Sequence, residues 1–458
     1  MINSIEFELN LDPFEAFLSF PQKEGLILLE SSGFDSSDLR ISYLFFEPLK
    51  IVFLRDEKLH EICNGREKVI EGDPLDYLKF LLTKEHNSST NKFYGGLVGY
   101  FSYDFGRRFE NIKSNKKSIT NLPELFFGLY TKCLIYNHRI NKWEYRTSPA
   151  NEENLNKNLE ELNRKFLVNK KLGSTINKSF PVINLKSNYT YEEYIKSVIR
   201  AKYYIREGDI YQVNLTQQFY GTTNIPATEI YGRVRKVNPA PYSAIMYLGN
   251  NQYVLSSSPE LFLKVDDGYV TTKPIKGTIR RGENADKDEL LKKQLLNSEK
   301  DAAELTMIVD LERNDLNRVC ETGSVDVKYL KKVETFASVH HLVSEIVGKL
   351  KNDCDVFDLI KASFPGGSIT GAPKIRAMQI IEELEPNNRG VYTGAIGYIG
   401  FNDHSEFNIA IRTISYDNGL LSIGLGGGIV ADSVPELEYQ ETLQKGKSIF
   451  EALGAVLE

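Results

Sequence analysis

FLKVDDGYVTTKPIKGT, Phe262 to Thr278, is the stretch from which the rest of the fold can be read. Alternating apolar runs flank Asp267-Gly268, a pair suited to the positive φ angles of a two-residue turn, so a β-hairpin is predicted. Pro274 then fixes φ and removes a donor, while Gly277 lets the backbone turn closely around its surroundings. Lys276 stands between them at a strand end, where rigid backbone can aim a side chain. It is either a surface lysine in a turn or, if burial or a cationic neighbour lowers its pKa, a nucleophile. Glu260, in SSSPELFL, lies 16 residues earlier at the entry to the hairpin. Strand pairing could bring the two side chains into one pocket.

Outward from the hairpin, strand-like runs and amphipathic segments alternate. Residues 1 to about 185 are irregularly patterned, with apolar runs LILLESSG, YLFFEPLKIVFL and GGLVGYFSYDF. A polar stretch, Asn151 to Asn177, is expected to hold a solvated helix and loop. From Tyr189 onward, helices are predicted over Tyr189–Glu207, stopped by Gly208, over Asn297–Val319 and over Pro373–Glu385. Strands are predicted near 392–400, 406–416 and 420–425, with turns at Asn402-Asp403 and Asp417-Asn418-Gly419. Hairpins mixed with helices imply an α+β fold of antiparallel sheets flanked by helices.

The chain has 458 residues, 41% hydrophobic and 26% charged, and a formal net charge of −6. That is the composition of a globular enzyme-sized protein without the basic footprint of a nucleic-acid or anionic-lipid binder. The start, MINSIEFELNLDPFEAF, carries acids and no long apolar core, so no signal peptide is expected. No apolar run reaches the roughly 18 residues of a membrane helix. Cys63, Cys133, Cys320 and Cys354 are scattered without metal or redox spacing, which suits a reducing cytoplasm.

Two segments place carboxylates on helix faces. In DAAELTMIVDLERND, Glu304 shares a stripe with Ile308 and Leu311, so an acid lies on an apolar face and needs a partner such as a cation. In ADSVPELEYQETLQK, Ser433 and Glu436 fit a capping box, and Glu438, Glu441 and Lys445 then share one face. These could bind Mg²⁺ and an anionic substrate; equally, Glu441 and Lys445 could be an ordinary surface pair. Glycine-rich segments flank both. PGGSITGAPK, Pro365 to Lys374, lacks the Gly-Lys-Ser/Thr of a nucleotide P-loop but reads as an anion-binding loop opening a helix. LGGGIVADS, Leu425 to Ser433, reads as a second such loop. Arg412 alternates with apolar neighbours in EFNIAIRTI, and an inward-facing arginine there would need an anion, either a substrate carboxylate or a structural acid. His341, in SVHHLVSEI, is either a satisfied core histidine or part of a site.

Together GDIYQVNL, SSSPELF, PIKGT, AELTMIVDLERNDL, VHHLVS, PGGSITGAPK, GYIG, IRT, GGGIVADS and EYQET resemble the chorismate-utilising enzymes, in that family's order across residues 186–458. LLESS at 28–32 and GYFSYDFGRRFE at 99–110 extend the resemblance to the anthranilate and aminodeoxychorismate synthase branch. The resemblance implies a single large anthranilate synthase component I-like unit: two antiparallel sheets packed as a sandwich with helices outside. It also implies an N-terminal region, 1–185, and a chorismate-binding catalytic region, 186–458. The family position that holds a water-activating lysine in isochorismate synthases is Gln212 here, which disfavours water addition. Lys276 stands where anthranilate synthases typically have alanine, and points to amination at C4 in the folate branch. Leu261 departs from the arginine that many relatives carry after Pro-Glu.

Residue by residue, the resemblance makes Lys276 the nucleophile toward C2 and Glu260 the general acid for the C4 hydroxyl, with His341 supporting. Glu304, Glu438 and Glu441 would hold Mg²⁺. Gln212, Ser368, Tyr392, Arg412, Lys445 and the amides of Gly426, Gly427 and Gly428 would receive chorismate. Glu30 and Ser31 match a tryptophan-binding segment, or are polar caps of a strand end. A separate glutamine amidotransferase subunit is implied as the ammonia source, since no such domain is expected within this chain.

Overall fold

The computed structural model describes residues 3–32, 41–85, 93–148, 182–336 and 339–458, with a few positions between 157 and 166. Among the described residues, two sheets, of 13 and 12 strands, organise the chain. Ile183–Ser187 against Ala455–Leu457 is parallel, and the other pairings among the described strands are antiparallel. Period-2 alternation sets the layers. In the larger sheet Leu26, Leu28 and Ile245 face outward, beneath the helices Pro13–Ser19, Ala227–Val237 and Pro435–Leu453. Ile27, Ala244 and Met246 face inward and meet Val98, Tyr100 and Phe126 of the smaller sheet. Leu97 and Phe101 face the other way and join a core with Leu78, Val309 and Phe357 of Pro74–Glu85, Glu299–Val319 and Val356–Ser363. The result is the expected α+β sandwich with helices outside. Strands from both sides of residue 185 share each sheet, as in the pairs Leu28↔Ile245 and Tyr100↔Ile396.

The predicted hairpin is present: Leu261–Asp266 pairs with Tyr269–Lys273 around Asp267 and Gly268, whose φ angles are 50° and 76°. Asn418-Gly419 turns Thr413–Asp417 into Leu420–Ile429 in the same way. Tyr191–Arg206 starts at a Thr190/Glu193 capping box. The predicted Asn297–Val319 helix begins two residues later, at Glu299, because Ser298 caps it, and a further helix, Ala285–Leu296, runs up to that cap. Most of Asn151–Asn177 lies outside the described residues. No helix among the described residues is long and apolar enough to cross a membrane.

Three local readings are corrected. The segment 406–416 is not one strand: Ser405–Asn408 belongs to the smaller sheet and Thr413–Asp417 to the larger, so the chain crosses between layers at Ile409–Arg412. Arg412 sits at that break with φ 50° rather than within a strand. Gly426, Gly427 and Gly428 are strand residues opposite Thr216, Leu215 and Asn214, not a loop. Ser433 does not cap the acidic helix. The N-cap is Val434, with Pro435 following, and the Ser433 hydroxyl instead donates to Glu438 Oε1 at 2.6 Å.

One surface-proximal ion pair carries a stability prediction. Glu61 is 1% exposed and accepts from Lys50 at 2.6 Å and from Lys68 at 3.0 Å. Burial opposes its charge, but Lys50, Tyr77 and Lys68 hold its pKa down to about 2. The unfolded chain therefore binds the proton more readily, so this contribution is full above the ordinary glutamate pKa and fades as pH falls toward 2. Discounted for the solvent-exposed lysines, Glu61→Gln should cost ~1–2 kcal/mol at pH 7 in urea unfolding. The difference should vanish near pH 2.

Candidate active site

Gly277 brings the lysine to the acids. The ladder between Ile275–Arg280 and Val339–Lys349 slips between Lys276 and Thr278, where Gly277 takes φ 75°. A Cβ there would lie 2.8 Å from Asp301 Cγ and 3.0 Å from Leu295 Cδ1, so only glycine admits the start of Glu299–Val319 so close. Glu304, on that helix, is the strongest charged influence on Lys276, followed by Glu260. Burial nevertheless dominates and lowers the Lys276 pKa, with Lys445 adding to the effect. Its Nζ donates to the Ser368 carbonyl at 3.2 Å.

Glu260 enters the same space from the hairpin's entry. Its Oε1 lies 3.5 Å from the Ile275 amide, and its backbone carbonyl accepts from Ile409. Burial raises its pKa, opposed by the Ser368 hydroxyl and the Lys276 charge, which favours a carboxyl that can hold a proton. His341 pairs opposite Thr278, and its Nδ1 lies 2.8 Å from Thr278 Oγ1. Burial, and then Arg412's charge, depress it to about 3, so it is neutral at physiological pH.

On the larger sheet, Gln212, Asn214 and Thr216 form one polar column. Gln212 Oε1, Asn214 Oδ1 and Thr216 Oγ1 are buried without hydrogen-bond partners. A Cβ on Gly428 would lie 2.3 Å from Gln212 Nε2, and one on Gly426 would lie 2.9 Å from Asn214 Oδ1. The glycines are a trough for those side chains. Pairing of this strand to Thr413–Asp417 stops at Ile423, just where Arg412 turns the chain away. The trough's edge therefore opens beside Arg412. Burial lowers that arginine's pKa, and among the described residues no neighbouring charge offsets it, the condition of a cation that receives an anion. Tyr392 is buried against Gly424, where a Cβ would meet the ring at 2.1 Å.

Position 427 points the other way: its Cβ would lie 3.3 Å from Glu438 Oε2 and 3.5 Å from Glu441 Oε1. Burial raises Glu438 despite Ser433, and raises Glu304 despite Lys276 and Lys300. Burial also acts on Glu441, but Lys445 overcomes it and keeps that carboxyl below the usual range. Lys445 bonds Glu441 Oε1 at 2.7 Å and the Gly426 carbonyl at 2.9 Å. Among the described residues no three acidic, histidine or cysteine side chains form a ready-made metal cage. Glu441 is nonetheless coupled to both Glu304 and Glu438, and carboxylate oxygens are donors of the type hard divalent cations take.

The PGGSITGAPK segment is a tight turn. Gly367–Ile369 is one short 3-10 turn and Gly371-Ala372 pairs with Gln212-Val213. Lys374 is buried, donating to Asp315 Oδ2 and Ser363 O, each at 2.6 Å, so it is structural. Sequence reading missed the clamp beside it. Arg389 donates to Glu385 at 2.9 and 2.7 Å, to Asn214 O at 2.7 Å and to Ile369 O at 2.8 Å. Glu385 in turn accepts from the Thr216 amide at 2.9 Å. This ion pair takes the place of a neighbouring strand, holding the polar column against the Ser368 turn.

Glu30 and Ser31 lie elsewhere, on Leu26–Glu30 and its end, and strand alternation separates their side chains. Glu30 shares the outward face with Leu28, where Arg235 Nε donates at 3.0 Å and the Tyr231 hydroxyl at 2.9 Å. Its carboxylate is thus engaged by Arg235 and Tyr231 of its own protein, and Glu30 also borders the cavity beside Ser31. Ser31 borders a cavity of about 40 Å³ between the sheets, also lined by Tyr43, Tyr398, Glu406 and Asn408. Glu406, which sequence reading did not single out, is raised by burial with Lys264 in opposition.

The sequence matches the family described as chorismate binding enzyme over residues 34–451. This chain belongs to the chorismate-binding enzymes. It is 39% identical to aminodeoxychorismate synthase component 1 of Escherichia coli over 93% of each chain. It is 35% identical to anthranilate synthase component 1 of Acetivibrio thermocellus over 96% of this chain and 92% of the relative. The crystal structure of anthranilate synthase component I from Streptococcus pneumoniae superimposes with a TM-score of 0.78 at 33% identity, covering 91% of this chain and 93% of that one.

Proposed function

We propose that this enzyme aminates chorismate at C4 to 4-amino-4-deoxychorismate, as an aminodeoxychorismate synthase component I of 4-aminobenzoate and folate synthesis. The observation that carries this reading is Lys276: an amine whose pKa burial lowers, electrostatically coupled to a carboxyl, Glu260, whose pKa burial raises. In this scheme Glu260 gives a proton to the C4 hydroxyl, which leaves as water while Lys276 Nζ bonds to C2. Ammonia then bonds to C4 and the C2–N bond to Lys276 breaks, returning the amine. Arg412, with Tyr392, Lys445, Ser368 and the Gly426–Gly428 trough, orients the carboxylates and the enolpyruvyl arm. Gln212 orients without acting as a base, and neutral His341 packs beside the ring.

Mg²⁺ is the cofactor of this reading: Glu304, Glu438 and Glu441 would hold it, where it would act as a Lewis acid on the ring carboxylate. The relatives' designation as component 1 supports a partner subunit, and ammonium's low fraction of free NH₃ favours a glutamine amidotransferase. A cytoplasmic setting suits four free thiols, of which burial pushes Cys133 up to about 12 and Cys320 up to about 11. A tryptophan ligand at the Ser31 cavity would meet a lining that includes both Glu30 and Glu406, and would require that cavity to widen.

Amination at C2 to anthranilate is the competing reading, favoured by relatives of similar identity. Incubation with chorismate, Mg²⁺ and ammonium salt, with products separated and weighed by mass spectrometry, distinguishes them. Aminodeoxychorismate without pyruvate is the expected result; anthranilate with pyruvate would overturn the reading.

A further inference from the structure

The helix Ala285–Leu296 has two buried side chains, Asp288 and Leu295, about two turns apart, while Leu290 and Leu296 stay exposed. Leu295 packs at the slip in the ladder beside Lys276. Its Cδ1 lies 3.0 Å from where a Cβ on Gly277 would sit, and it shares a small core with Leu305 and Leu342, against which Ile279 packs. Asp288 holds the far end of the same strand. Its Oδ1 accepts from Arg281 Nε at 2.9 Å and from the Gly282 amide at 2.8 Å, and its Oδ2 accepts from Arg281 Nη2 at 3.0 Å. A Cβ on Gly282 would lie 2.6 Å from Asp288 Cα, so the first turn of the helix rests directly on that backbone. His340 Nε2 donates to Asp288 Oδ1 at 2.9 Å from the adjoining strand, and its Nδ1 lies 3.0 Å from Thr335 Oγ1. Arg281 Nη1 donates to the Phe336 carbonyl at 3.1 Å. One carboxylate thus gathers the ends of Ile275–Arg280, Asp326–Thr335 and Val339–Lys349. Beyond the slip only three pairs, Thr278↔His341, Ile279↔His340 and Arg280↔Val339, join the lysine strand to its neighbour.

We propose that Asp288 is a positioning residue for Lys276: with Leu295 it makes the helix Ala285–Leu296 a brace across the lysine strand, pinned at both ends of the segment 277–282. Its catalytic meaning rests on the C4-amination reading, in which Lys276 Nζ must reach C2. The Arg281 fork and the Gly282 amide fix where the strand ends, and His340 ties that end to the strand carrying His341. Without the carboxylate, three ladder pairs alone would hold the register that aims the lysine. Displacement of a reacting atom by about 1 Å can cost on the order of 10²-fold in rate.

The test is Asp288→Asn, which keeps the shape and an acceptor for Gly282 but sets an amide against the Arg281 fork. Its ammonia-dependent kcat should fall on the order of 10- to 10²-fold while KM for chorismate stays within about twofold. A second readout needs no turnover. Lys276 is labelled with trinitrobenzenesulfonate between about pH 7 and 10.5 and followed by peptide mass spectrometry. The charges that act most on Lys276, those of Glu304, Glu260, Lys445 and Glu441, lie on other elements and are kept. A lysine released from its buried position should therefore show a labelling midpoint raised by about half a unit or more toward that of an ordinary lysine. Should Asp288→Asn fail to fold, Arg281→Lys carries the same two measurements, with kcat expected to fall roughly three- to tenfold. A lower urea midpoint with kcat and the labelling midpoint unchanged would make Asp288 a tether of the fold alone and overturn the proposal. A raised KM at unchanged kcat overturns it too. Anthranilate as the product would sink the C4-amination reading, and the labelling midpoint would still decide whether Asp288 places Lys276.

Discussion

Lys276→Ala should abolish formation of aminodeoxychorismate, lowering ammonia-dependent kcat by on the order of 10³-fold while chorismate still binds. The size follows from removing the nucleophile itself. On the proposed reading Arg412 and the glycine trough still hold substrate, so KM should change little. Lys276→Arg should not rescue, because guanidinium stays charged where the amine's pKa is lowered by burial. Product analysis of the same samples adds a check. If the alanine variant keeps more than about a tenth of wild-type rate, Lys276 is a turn residue and covalent catalysis is wrong.

Arg389→Met should be among the most destabilising single changes available, at ~3–5 kcal/mol in denaturant unfolding. Methionine fills similar volume but leaves Glu385, 3% exposed, as a buried unpaired carboxylate. It also strands the carbonyls of Asn214 and Ile369, which Arg389 now satisfies at 2.7 and 2.8 Å. The double variant Arg389→Met/Glu385→Gln should recover part of the loss, since the buried charge is then gone. A single-variant cost below ~1 kcal/mol would show that the pair is not what joins the two segments.

Much of the frame was legible because it rests on neighbours in sequence. Asp267-Gly268 and Asn418-Gly419 give hairpins since their side chains tolerate the positive φ a two-residue turn requires. Thr190 and Glu193 start a helix by bonding amides within one turn. The Glu304, Ile308 and Leu311 stripe followed from helical periodicity. Side-chain direction was less accessible. Glu30 and Ser31 are adjacent in sequence and both border the inter-sheet cavity, yet the Glu30 carboxylate is held by Arg235 and Tyr231 on the outward face. Which face is which depends on a partner strand more than 200 residues away.

The sequence by itself determined the hairpin that carries Lys276, the main helices, the two-sheet α+β class and the family to which the chain belongs. Only the tertiary structure decided that Arg412 stands at a crossing between sheets, and that the glycine run is a strand whose missing side chains make room for Gln212 and Asn214. The physical reason is range. Turn chemistry and capping act over three or four residues and can be read locally. Burial, charge compensation and the open edge of a strand arise where distant segments pack, and no local pattern encodes them.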